Sequence, residues 1–163
     1  MEKYQKLLND LGADSTKIID TATIVTAPWV IYKCQYGCGK YGSSWRCPPK
    51  SPDYKQSQEI IDCYKTGILF CCHDLSIVTD IAVKVAREIF LDGYYKVIAF
   101  GCGPCDKCKE CNAKGCNFPL EIVPAMEACG MDVFQTVRNN GYEIHTLRSE
   151  EEVQNYFGLI LVE

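Results

Sequence analysis

The sequence predicts one compact domain of α/β (or α+β) class, a small sheet with flanking helices and cysteine-rich loops. Three observations carry this. Short apolar segments at 68–72, 95–100 and 159–162 have the length and continuity of buried strands. Amphipathic stretches with helical spacing stand between them. No linker, low-complexity tract or repeat divides the chain, so residues 1–163 read as a single domain.

Taken in order, Tyr4, Leu7, Leu8 and Leu11 repeat at helical spacing, and Gly12 stands where a left-handed C-cap ends a helix. Ser51-Pro52 supplies an N-cap and a proline at the first helical position, with Ile60, Ile61 and Tyr64 as the apolar positions before Gly67 stops the helix. Ile68 to Cys72 then reads as a buried strand. Ser76 caps a longer helix with the stripe Ile77, Val78, Ile81, Val85 and Ile89, ending at Gly93. Tyr95 to Phe100 is a second strand that delivers the chain to Gly101. Pro124 begins a short helix stopped by Gly130, and Asp132 with Gln135 starts another that ends at Asn140-Gly141. Leu159 to Val162 closes the chain as a last strand. The acidic run Glu150 to Glu152 follows Ser149 as a capping box and reads as a helix start, not an interaction tail.

A net charge of -4 and a pI near 5.3, with scattered basic residues, argue against a nucleic-acid footprint, which needs clustered Lys and Arg. No stretch approaches an uninterrupted apolar membrane span, and the N-terminus has no apolar signal region. A soluble protein of the reducing cytoplasm is expected. There, twelve cysteines in 163 residues point to metal or redox work, not to disulfides.

The densest signal is the run GCGPCDKCKECNAKGCNFP, which spaces Cys102, Cys105, Cys108, Cys111 and Cys116 as C-x2-C-x2-C-x2-C-x4-C. Successive C-x2-C steps turn the chain tightly enough to aim several thiolates at one centre, the local half of a ferredoxin-type iron-sulfur site. Zinc sites more often use two short knuckles separated by a longer loop, and three consecutive x2 gaps crowd a single tetrahedral ion more than a cubane of four irons. The slack of the longer loop favours Cys116 over Cys111 as the fourth ligand beside Cys102, Cys105 and Cys108. Gly101 and Gly103 read as glycines for close backbone approach to a cluster.

A second group lies upstream, Cys34, Cys38 and Cys47, with Gly37, Gly39 and Gly42 letting the backbone wrap and Pro48-Pro49 stiffening the exit. Cys47 completes either a local site or, as the cysteine of a C-P pair does in two-cluster ferredoxins, a remote one. Trp29, Tyr36, Tyr41 and Trp45 flank this group as water-excluding aromatics. Cys63, Cys71, Cys72 and Cys129 read as core, Cys71 and Cys72 pointing to opposite faces of their strand. His73 is a ligand candidate at the strand end, although a lone histidine is more often structural; His145 has less context still.

The set C-x3-C-x8-C-P-P, then G-C-x2-C-x2-C-x7-C-x2-P, then Pro-Ala-Met-Glu-Ala-Cys-Gly-Met-Asp-Val-Phe resembles the DUF2284 family of predicted metal-binding proteins. The match runs from about Lys33 to Gly141 and includes Asp92 to Lys96. The resemblance implies a cysteine-rich metal-binding protein of anaerobic prokaryotes and no particular reaction. Its pattern falls on Cys34, Cys38, Cys47, Cys102, Cys105, Cys108 and Cys116; Cys111 departs from it, inside KECNAKG, as an alternative ligand. The expectation is a small iron-sulfur protein that passes single electrons to a redox protein partner, with one or two 4Fe-4S clusters, the first on Cys102, Cys105, Cys108 and Cys116. A second cluster on Cys34, Cys38 and Cys47 would leave one iron open to a small molecule. The competing class is a zinc-stabilised interaction module.

Overall fold

A strand that is apolar at every position must be covered on both faces, and the strand Thr66–Cys72 is buried from Gly67 onward. The computed structural model describes residues 1–149 and 151–163, and in them this strand, β2, lies inside a four-stranded antiparallel sheet. The others are β1 (Ser15–Asp20), β3 (Ile98–Phe100) and β4 (Tyr156–Leu161), in the spatial order β1-β2-β4-β3. Ile68, Phe70, Cys72 and Ile160 face a layer formed by α1 (Glu2–Asp10) and α4 (Leu75–Leu91). Leu69, Cys71, Leu159 and Leu161 face the opposite layer, which contains Ile61, Met126, Met131 and Val137. The described residues thus form an α+β domain in which a sheet is sandwiched between helical layers, with five α-helices in all.

The remaining helices are α2 (Pro28–Gly37), α3 (Tyr54–Ile61) and α5 (Val133–Asn139), with single 3-10 turns at Thr21–Thr23 and Glu127–Cys129. Several boundaries differ from the sequence expectation. The cap of α3 is Asp53, whose side chain accepts from the Lys55 and Gln56 backbones in a complete capping box. Ser51 instead donates its buried hydroxyl to the Ala128 carbonyl, and Gly67 lies within β2 and does not end a helix. Asp74, not Ser76, caps α4. The strand expected at 95–100 shrinks to its last three residues, and the helix expected after Pro124 is only the 3-10 turn ending at left-handed Gly130. Glu150 of the acidic run lies outside the described residues; Glu151 and Glu152 lie in a turn and a bend, and Val153 to Asn155 have no regular secondary structure.

Two elements escaped the pattern. β1 is an edge strand with one well-buried apolar residue, Ile19, so it carries no apolar run. α2 buries only Val30 and leaves Trp29, Tyr32 and Tyr36 exposed, so it has no stripe to betray it. No helix of the described residues is long and apolar enough to cross a membrane.

Candidate metal centre

The first cysteine group is built on a helix end. Proline at the first position starts α2, Cys34 lies in its last turns and Cys38 is its C-cap residue. The C-x3-C spacing is therefore the helical i,i+4 spacing that puts two side chains on one face. The chain then doubles back through turns. Gly42, at φ +71°, donates its N–H to the Pro48 carbonyl at 2.9 Å, and the Ser44 hydroxyl reaches the Cys47 Sγ at 3.3 Å. Gly37 and Gly39 need neither a positive φ nor close contact, so only Gly42 serves the wrap expected of the three. Burial pushes the Cys34 thiol up, and the nearby Cys38, Glu127 and Cys47 push it further.

Arg46 joins this loop to the other. It is 3% exposed. Its guanidinium donates to the carbonyls of Val123 (2.7 Å), Cys102 (3.0 Å) and Pro104 (3.4 Å) and to the Thr79 hydroxyl (2.5 Å). Its neighbour Trp45 donates its indole N–H to the Asn112 carbonyl at 2.9 Å. The residues just before Cys47 therefore hold the ladder at two points. The glycines around Cys102 serve this packing: a Cβ on Gly101 would lie 2.3 Å from Thr79 Oγ1, and Gly103, at φ +71°, turns tightly against Leu75.

Cys102 follows the end of β3. Gly101 donates to the Pro124 carbonyl and accepts from Met126, which brings Cys102 beside the Glu127–Cys129 turn, and that turn packs against α2. The consequence is a cavity of about 530 Å³ whose wall includes Cys34, Cys38, Cys47, Cys102 and Glu127. Trp29, Tyr41 and Phe157 are among its apolar lining, and Lys33 and Lys40 stand at it too. Burial pushes the Cys102 thiol up to about 12, Glu127 acts in the same sense, and Arg46 draws it back. The Glu127 carboxyl is itself pushed up by burial and drawn back by Arg46.

Beyond Gly103 the ladder runs without helix or strand to Pro124. Lys107 anchors it to α4 through Asp80 (3.0 Å) and to Glu121 (3.7 Å). The Cys108 thiol is pushed up by burial and then by Cys105, Cys111 and Cys116 around it; Cys102 is not among its influences. Cys116 Sγ accepts from the Phe118 N–H at 3.3 Å. Among the described residues, no three Cys, His, Asp or Glu side chains converge as tightly as a single metal ion would draw them; the thiols stand around the loops and the cavity wall. The candidate donors are soft thiolates, which suits iron-sulfur clusters and zinc.

All twelve cysteines are free. Cys71, Cys72 and Cys129 are buried as expected, Cys71 and Cys72 in the two opposite layers. Cys63 is exposed, contrary to expectation, because α3 ends at Ile61 and leaves it in a surface turn. His73 pairs with Asp14 at 3.2 Å and His145 with Glu152 at 3.5 Å. Arg46, Thr79 and Glu127 were not singled out by sequence reasoning, and only the position of Arg46 directly before Cys47 could have pointed to it.

A family model described as a predicted metal-binding protein, DUF2284, matches residues 17–162. No curated protein and no solved structure matches the chain.

Proposed function

The chain belongs to the DUF2284 family of predicted metal-binding proteins, and we propose that its metal is iron in 4Fe-4S clusters that accept and pass single electrons. The observation that carries this reading is the segment from Cys102 to Pro124, which has neither helix nor strand yet carries five thiols at short, regular spacing. A stretch of that length without secondary structure is uncommon in a small domain unless it is functional. Beyond the anchors at Trp45, Arg46 and Lys107, thiolate–metal bonds would add the cross-links that order it, since metal binding energy is folding energy. Stepped x2 spacing and thiolate-only ligands favour a cubane over one tetrahedral ion.

The bound clusters would supply one-electron chemistry. The chain's own residues do the rest: the cysteines hold, Tyr41, Phe157 and Leu75 give the cavity an apolar wall while Trp29 and Tyr36 are exposed, and buried Arg46 places a permanent positive charge beside Cys102, which offsets the charge of thiolates taken out of water. A redox protein is the fitting partner for such a relay. Anaerobically purified protein is expected to be brown and to lose visible absorption on adding dithionite. Colourless, fully folded protein with stoichiometric zinc and no sulfide would overturn this reading and leave a zinc-stabilised interaction module in its place.

A further inference from the structure

Resting on the iron-sulfur reading, we infer that the cysteine ladder is divided between two centres: Cys102 joins Cys34, Cys38 and Cys47, and Cys111 joins Cys105, Cys108 and Cys116. The regular spacing of the ladder suggests one site, but the fold breaks it at Gly103. Cys102 is held back against β3 by the Gly101 main-chain bonds to Pro124 and Met126 and by Arg46, which grips its carbonyl at 3.0 Å. It lines the same cavity as Cys34, Cys38 and Cys47. Cys34 Sγ lies 3.9 Å from the Glu127 main-chain carbonyl, and Glu127 lines the same cavity. At Gly103 the backbone adopts a left-handed turn against Leu75 and carries the following cysteines off the cavity. None of Cys105, Cys108, Cys111 or Cys116 lines it.

The division fills both centres, whereas a ladder site on Cys102, Cys105, Cys108 and Cys116 leaves Cys111 unused and only three thiolates upstream. Each centre has four thiolates, enough to close a cubane at every corner, so Cys111 is used and neither cluster has an open iron. Cys105 follows Cys102 by three residues, so their Cα atoms are at most about 11 Å apart. The two centres are thereby neighbours joined by the two residues Gly103 and Pro104, the arrangement of a two-step electron relay with no small-molecule site.

Paired substitutions test the division by iron and sulfide content per folded chain. The double variant C34S/C102S removes two ligands from one centre and is expected to retain about half the iron of the wild type, as is C108S/C111S. The crossed variant C102S/C108S strikes both centres and is expected to lose nearly all of it. The opposite result, in which C102S/C108S keeps half and C34S/C102S loses nearly all, would place Cys102 in the ladder's centre and overturn the proposal. Unmodified protein provides the check if a variant does not fold. During gradual removal of iron by a chelator under alkylation, mass spectrometry is expected to show Cys102 becoming modified together with Cys34, Cys38 and Cys47. Its modification in step with Cys105 and Cys108 would contradict the division. Wild-type protein that contains zinc and no iron or sulfide overturns the iron-sulfur reading itself, a result distinct from either pattern.

Discussion

Arg46 shows how much a single side chain contributes here. Buried, it meets four oxygen acceptors, three of them main-chain carbonyls from two segments of the chain. Arg46→Met would leave those acceptors without a donor in a place water does not reach, at a cost on the order of 3 kcal/mol. Guanidinium unfolding of the variant is expected to show that loss, accompanied by lower iron content. Arg46→Lys should restore little, because an ammonium cannot span the fork that the guanidinium fills. The thiols give a second prediction at the same scale. Burial pushes Cys71 up to about 11 and Cys72 and Cys129 up to about 12. A raised thiol pKa means less reactive thiolate at any lower pH, so these three should resist iodoacetamide at mildly alkaline pH and gain reactivity only as the pH approaches those values. Exposed Cys63 should be modified first. The cysteines as a class were legible because residue type and spacing are local properties of the chain. Arg46 and Glu127 were not, since their importance depends on which distant loops the fold brings against them.

Among the elements, the loop from Cys102 to Pro124 depends on glycine at its entrance. A Cβ on Gly101 would lie 2.3 Å from Thr79 Oγ1 and 3.1 Å from an Arg46 nitrogen, so Gly101→Ala must displace the Thr79 hydroxyl that Arg46 binds and crowd the guanidinium. Iron content is expected to fall at least several-fold, while far-ultraviolet circular dichroism stays close to that of the wild type. Protein stripped of metal should be cut by protease within 102–124 before any bond in β2 or β4, because those residues have no backbone ladder to protect them. Helices with a wide apolar stripe were legible, as α4 shows with Val78, Ile81, Val85 and Ile89 all buried. α2 was not, because a helix that buries one residue and turns aromatic side chains outward has no 3.6-residue pattern. That omission hid the reason for the C-x3-C spacing of Cys34 and Cys38, which is a helix face and not a glycine-rich wrap.

Across the whole molecule, the sheet is the rigid support on which both cysteine loops are mounted, and its packing is close. Phe70 lies over Gly158, its partner in the β2–β4 register, and a Cβ at Gly158 would stand 2.2 Å from the ring. Gly158→Ala is expected to lower stability by roughly 1–3 kcal/mol through overpacking, read as a lower melting temperature, and Phe70→Leu in the same chain should recover part of it. The continuous apolar runs of β2 and β4 announced strands buried on both faces, which a pattern of alternation would not have done. Strand order could not be read, because the pairing of β2 with β4 joins residues some ninety positions apart and leaves no local trace. The most direct test of the metal chemistry is iron and acid-labile sulfide analysis of protein purified without oxygen. Two four-thiolate cubanes predict about eight irons and about eight sulfides per chain, whereas zinc in place of iron, with no sulfide, would contradict the iron-sulfur assignment.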